Sequence, residues 1–147
     1  MGNIKAKFQL LDNYVKAYSL NVNRKIQNNE NMEIDGKISF KIININKKEN
    51  ERLIGEIELA NEIEIIINEE HVGKINIVMG ALFEGDLEIE KDFENMLKIN
   101  GATTLSHLMR AYVATNTSLS GMQTIMLPLI NFVEFFKESK KENKSDN

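Results

Sequence analysis

The chain has 147 residues, 42% hydrophobic and 27% charged, with a formal net charge of −4 and no cysteine. That is one domain's worth of an ordinary globular protein, long enough to bury roughly two-thirds of its surface. Disulfides and thiolate metal sites are excluded, net negative charge argues against nucleic acid as the main partner, and no apolar run approaches the ~20 residues of a membrane span.

The opening MGNIKAKFQLL has no apolar h-region, and Ala6 stands where a myristoylation signal wants Ser or Thr. Neither a signal peptide nor an acyl anchor is therefore expected, and the location predicted is cytoplasmic. The first structured segment, KFQLLDNYVKAYSLNVN, is apolar on both faces and carries Tyr14 and Tyr18. It reads as a long strand with a bulge that swaps its faces. In EIDGKISFKIININ, Ile34, Ile38, Phe40 and Ile42 alternate with Asp35, Lys37, Ser39 and Lys41. In RLIGEIELANEIEIIINEE the apolar set is Leu53, Ile57, Leu59, Ile63, Ile65 and Ile67, with Glu56, Glu58, Glu62 and Glu64 on the opposite face. Alternation of this length predicts half-buried antiparallel strands with one wet face. NEEHVGK reads as a hairpin connection into a fourth strand, INIVMGALF.

The period then changes. DLEIEKDFENMLKIN places Leu87, Phe93, Met96 and Leu97 at helical spacing, with acids near its start, where the helix dipole favours them. A second helix, capped by Thr103 or Thr104, presents Leu105, Leu108, Met109, Tyr112 and Val113 as an amphipathic stripe. Gly121 ends it. An extended piece, MQTIMLPLINF, leads into a short terminal helix built on Phe132, Val133, Phe135 and Phe136. The last residues, KESKKENKSDN, lack apolar anchors and read as a disordered tail. The prediction is one α+β domain over residues 1–136, with a polar tail over 137–147. Its four-stranded antiparallel sheet carries two main helices on one face.

No catalytic constellation assembles. The only histidines are His71, in the hairpin, and His107, on a helix. Ser106 and His107 are neighbours and so point in different directions, with no third triad member. GALFEGD lacks the Lys and Ser/Thr of a phosphate-cradling loop. The glutamates are regularly spaced on a strand's wet face, where solubility and edge protection account for them. Nothing in the spacing brings three metal ligands together. The expectation is no enzyme, no cofactor and no metal.

LKINGATTLSHLMRAY, a glycine-punctuated loop and LPLINF together resemble the SecB family of export chaperones. That family's region runs KINAPAILFPYLR, a glycine loop and an L-x-P-V-N-F signature. FQLLDNYVKAYSLNV resembles its first strand, which opens FQI, and GALF resembles its GGIF, so the likeness extends from Phe8 to Phe136. The resemblance implies an ATP-independent holdase, assembled as a tetramer (a dimer of dimers) with apolar grooves for unfolded polypeptide. Methionines such as Met79, Met96, Met109, Met122 and Met126 suit a surface that repacks around varied clients. Carried over by position, the groove is lined by Ile38, Phe40 and Ile42 of the second strand. Leu105, Leu108, Met109, Tyr112, Val113 and Met122 line it from the helix and its exit.

Three departures stand out. The family's Phe-Pro-Tyr element aligns with Ser106, His107 and Leu108, which implies an altered, shallower groove mouth. The loop before LPLINF is one residue longer. The acids by which the family docks on the export motor SecA align with Ala17, Asn21 and Asn76, so docking by that surface is not expected. The strip Glu56, Glu58, Glu62 and Glu64 is the substitute the sequence offers. A chaperone dedicated to one partner such as an antitoxin, and a non-chaperone binding module on the same fold, are the alternative readings.

Overall fold

The computed structural model describes residues 7–49 and 52–145, with side chains of the last helix placed through Ser139. The first six residues, where neither leader nor acylation signal is read, lie outside the described residues. Four strands precede any helix: β1 (Phe8–Val22), β2 (Met32–Lys47), β3 (Arg52–Ile67) and β4 (Glu70–Asp86). They form one antiparallel sheet in the order β1-β4-β3-β2.

β1 carries two bulges where the sequence predicts one. Its register against β4 shifts between Leu10 and Asp12 and again between Val15 and Ala17. Each inserted residue reverses the alternation. Phe8, Leu10, Val15, Tyr18, Leu20 and Val22 therefore share one face although their parity changes twice. β3 and β4 meet in a two-residue turn, Asn68 and Glu69, at φ 51° and 65°. Two successive left-handed residues give the turn whose twist matches the strands it joins. Pairing resumes at Glu70, so His71 to Lys74 belong to β4 and not to the connection.

One face of the sheet is dry. Ile57, Leu59, Ile63 and Ile65 of β3 and Ile75, Ile77, Ala81 and Phe83 of β4 are all buried on it. A 3₁₀ turn (Leu87–Ile89) leads into α1 (Phe93–Met96), a π-helical turn (Leu97–Gly101) and α2 (Ala102–Leu119). The last three run on without a break, since Leu97, Gly101 and Ala102 all keep right-handed helical dihedrals. One long helix thus stands where the sequence predicts two. Thr103 and Thr104 do not cap it: their hydroxyls donate to the carbonyls of Ile99 at 2.6 Å and Asn100 at 2.9 Å. That is the bond a threonine makes inside a helix. The reason is packing. The extra residue of the π turn re-phases the apolar stripe, so that Phe93 before it, Leu97 at its start and Ala102, Leu105 and Met109 after it are all buried.

Gly121, at φ +76°, turns the chain out of α2. Residues 122–131 carry no helix or strand, and α3 (Phe132–Ser145) follows. Its helical backbone continues past Phe136, through most of the segment whose composition suggests a disordered tail.

Candidate functional site

α2 presses Leu105, Met109, Val113 and Thr117 onto the sheet, which leaves it two different flanks. The segment 122–131 returns along the flank nearer β2. The Ile125 N–H donates to Thr117 Oγ1 at 3.0 Å, and Arg110 Nε donates to the Leu127 carbonyl at 2.7 Å. Thr117 itself donates to the Val113 carbonyl at 2.8 Å, so one buried hydroxyl ties the segment to the helix. A cleft of about 190 Å³ opens between this segment and the edge strand β2. Ile34, Gly36 and Ile38 of β2 form one wall, and Leu127, Pro128 and Ile130 of the segment the other. Asn61 and Ile63 of β3 lie at its floor, and Ser106 and Met109 of α2 close its end.

Asn61 is 4% exposed. Among the described residues no group donates to its Oδ1, although buried polar atoms are nearly always partnered. Gly36 stands beside it, and a Cβ at that position would lie 3.1 Å from Oδ1. The apolar row of β2 thus has a gap over the one polar group of the floor.

The nine residues assigned by resemblance do not form one groove. Ile38 and Met109 meet in the cleft. Phe40 and Ile42, further along β2, border a second hollow with Lys98 and Phe136, where the Phe40 and Phe136 rings meet edge-on at 5.3 Å. Leu105, Val113 and Met122 are buried in the core. Leu108 and Tyr112 lie on the opposite flank of α2, beside Val15 and Met79. There Tyr112 packs edge-on against Tyr18 at 5.2 Å, and burial pushes the Tyr18 phenol pKa up. A helix has more than one side, and a stripe as broad as this one reaches round two of them.

Ile34, Gly36, Asn61, Ile63, Leu127, Pro128 and Ile130 are the cleft residues that sequence reasoning did not assign to the groove. A signal existed for Asn61: it interrupts the apolar row of β3 between Leu59 and Ile63. Ser106 was expected at the groove mouth. It lines the cleft as the alignment with the family's groove mouth implies.

The glutamate strip stands on the face away from the helices, as its alternation predicts, but most of it is paired. Glu56 accepts the Tyr14 hydroxyl at 2.6 Å, and that bond pushes the Tyr14 pKa up to about 12. Glu58 is buried between Lys16 at 2.9 Å and Lys41 at 3.6 Å. The Lys16 hydrogen bond holds its carboxyl below the ordinary 4.5. Glu64 meets His71 at 3.4 Å and Lys74 at 3.9 Å. Glu62 is exposed, opposite Lys37 and Asn76 in register. Ala17, Asn21 and Asn76 share this face. Among the described residues no three histidines or carboxylates converge as a metal site. Among the described residues no helix is long and apolar enough to cross a membrane.

The sequence profile of preprotein translocase subunit SecB matches residues 2–143. The chain belongs to the SecB family. Its fold is similar to that of the Mycobacterium tuberculosis SecB-like chaperone Rv1957, solved in complex with a ChAD peptide from the HigA1 antitoxin Rv1956. The TM-score is 0.62 at 16% identity, over 84% of this chain and 91% of that one. A Streptococcus agalactiae protein of unknown function aligns at a TM-score of 0.46 and 11% identity, over 82% of this chain and 96% of that one. No curated protein matches the sequence. Membership in the SecB family supports a chaperone role.

Proposed function

We propose that this SecB-family protein is an ATP-independent holdase that binds extended, apolar segments of non-native polypeptide in the cleft between β2 and the segment 122–131. The observation that carries the reading is the cleft itself, already formed, apolar on both walls and set at the edge of the sheet. An apolar side chain that leaves water gains roughly 1.5–3 kcal/mol, so one such contact does not offset the ordering of a flexible client. Several clefts on one assembly supply the missing avidity, and in this reading the working form is a tetramer.

The test is aggregation suppression without ATP. A chemically unfolded, slowly refolding protein is diluted into buffer with and without this chain while light scattering is followed. Suppression near one tetramer per client, lost in Ile38→Asp, supports the reading; no effect from properly folded, assembled protein removes general holdase activity. Ile38 is only half-buried, so it tests the cleft with less risk to the core than Met109, which is 2% exposed.

A second reading, a chaperone dedicated to one client, draws support from the likeness to Rv1957, whose structure holds an antitoxin peptide. It also fits a sheet face on which Ala17, Asn21 and Asn76 carry no charge. The glutamate strip has no docking part in either reading, because Glu56 and Glu58 are engaged by Tyr14, Lys16 and Lys41. Equal SecA affinity in the native chain and in a variant with Glu62 and Glu64 reversed to lysine would agree with that.

A further inference from the structure

We propose that the segment 122–131 is a strap that stands in for client polypeptide: it swings out on Gly121 while an apolar stretch of the client takes its seat on α2 and the sheet. This rests on the polypeptide-binding reading above and gives it a second, larger site. Size is the first reason. A cleft of about 190 Å³ holds little more than one large side chain, whereas a flexible client needs several apolar contacts to offset its ordering. The seat of the strap offers three, because Met122, Ile125 and Leu127 are buried there at 8%, 1% and 5% exposure. Leu127, Pro128 and Ile130 form one wall of the cleft, so a client lodged in it already lies against the strap.

Little besides that burial holds the strap down. Among the described residues, the Ile125 N–H and the Leu127 carbonyl are its only main-chain groups hydrogen-bonded to α2 or the sheet, through Thr117 and Arg110. Gln123 works against the closed position. Its Oε1 is buried with no donor among the described residues, a cost that is relieved once the side chain turns to water. Phe132, 2% exposed, keeps the far end at the core, and the near end is a hinge. Gly121, at φ +76°, has open space around it, so a change of backbone angle there meets no side chain. A client stretch with apolar residues at the strap's spacing restores the burial lost as the strap leaves, which brings the apolar balance of the exchange close to even. Two hydrogen bonds and one unpaired amide oxygen then decide how far the equilibrium lies toward the open form.

Hydrogen exchange of the full chain, read by mass spectrometry on fragments spanning 122–131, tests this with and without a leucine- and valine-rich peptide of the strap's length. The bound peptide is expected to speed exchange in 122–131 several-fold, whereas occupancy of the cleft alone slows it. Affinity and stability are expected to move in opposite directions in two variants. Thr117→Val, which removes one of the two attachments, is less stable and binds the peptide about tenfold tighter. Gln123→Met, which removes the unpaired oxygen and keeps the shape, is more stable and binds it several-fold more weakly. Circular dichroism and assembly size identify a variant that has not folded, and the exchange experiment on the native chain stands without it. Slower or unchanged exchange in 122–131 on binding overturns the strap and leaves the chaperone reading intact. Equal affinity in all three proteins overturns it as well. If the peptide does not bind the native chain, the cleft reading and this inference fail together.

Discussion

At the scale of single residues, the open face of the sheet shows how a strand of alternating glutamates becomes neutralised. Tyr14 lies flat over Gly80, where a Cβ would overlap its ring, and from there it reaches Glu56. The phenol is held to about 12, so the folded state keeps a proton that the unfolded chain releases near 10. That contribution is full below pH 10 and is lost as pH rises toward 12. In an absorbance titration of tyrosinate, the late-ionising step is expected to shrink in Tyr14→Phe, and the alkaline limb of stability to flatten. Glu58 has the opposite sign. Its folded pKa lies below the ordinary 4.5, so its contribution is complete above that pH and is lost as pH falls through the folded value. Urea midpoints of Glu58→Gln are expected to lie below those of the native chain at pH 7 and to approach them in acid. A constant difference at both pH values would mean that the lysine pairing contributes nothing.

At the scale of elements, the long helix depends on what its π turn allows. Gly101 is buried, and a Cβ there would come within 3.2 Å of Ile57 Cδ1 and 3.3 Å of Phe83 Cε2. A larger side chain has to lift α2 away from β3 and β4. Gly101→Val is expected to cost about 1–3 kcal/mol of stability, read as a lower denaturant midpoint at an unchanged slope. α3 is anchored by Phe132, 2% exposed, whose ring meets Phe135 at 5.7 Å and Phe136 at 6.2 Å. Phe132→Ala is expected to cost roughly 3–5 kcal/mol. Hydrogen exchange should show protection lost first in α3 and the segment 122–131, which it holds against the sheet.

At the scale of the whole molecule, the helices cover the sheet unevenly. On the helix-facing side of β1, Leu10, Val15 and Val22 remain 38%, 37% and 41% exposed. Beside them lie the half-buried Leu108 and Tyr112 of α2. An apolar edge of this kind invites a second sheet or a second subunit, and closed symmetry is the usual outcome. Light scattering of Val15→Lys at micromolar concentration is expected to show a smaller species than the native chain, with the circular dichroism spectrum unchanged. The same assembly in both proteins would place the subunit contact elsewhere.

Much of the fold was legible in the sequence because period-two alternation is local: each residue of β2 and β3 declares its face through its neighbours, and the wet and dry sides of the sheet follow. The change of period after Asp86, the exit at Gly121 and the absence of a helix between Gly121 and Phe132 were legible for the same reason. A bulge in β1 was expected, but the second bulge and the places of both were not legible, because apolar residues on both faces leave the parity undetermined until the chain is paired with β4. Nor was the continuity of the long helix, since Thr103 and Thr104 are good caps by type and only the burial of Leu97 and Gly101 against the sheet makes them interior residues. The candidate site was half legible. Sequence pattern identifies the apolar row on β2 and the stripe on α2, but it cannot say which flank of a helix faces which strand. That was decided by Arg110 and Thr117, which dock the segment 122–131 beside β2, because such long-range contacts exist only once the chain has closed on itself.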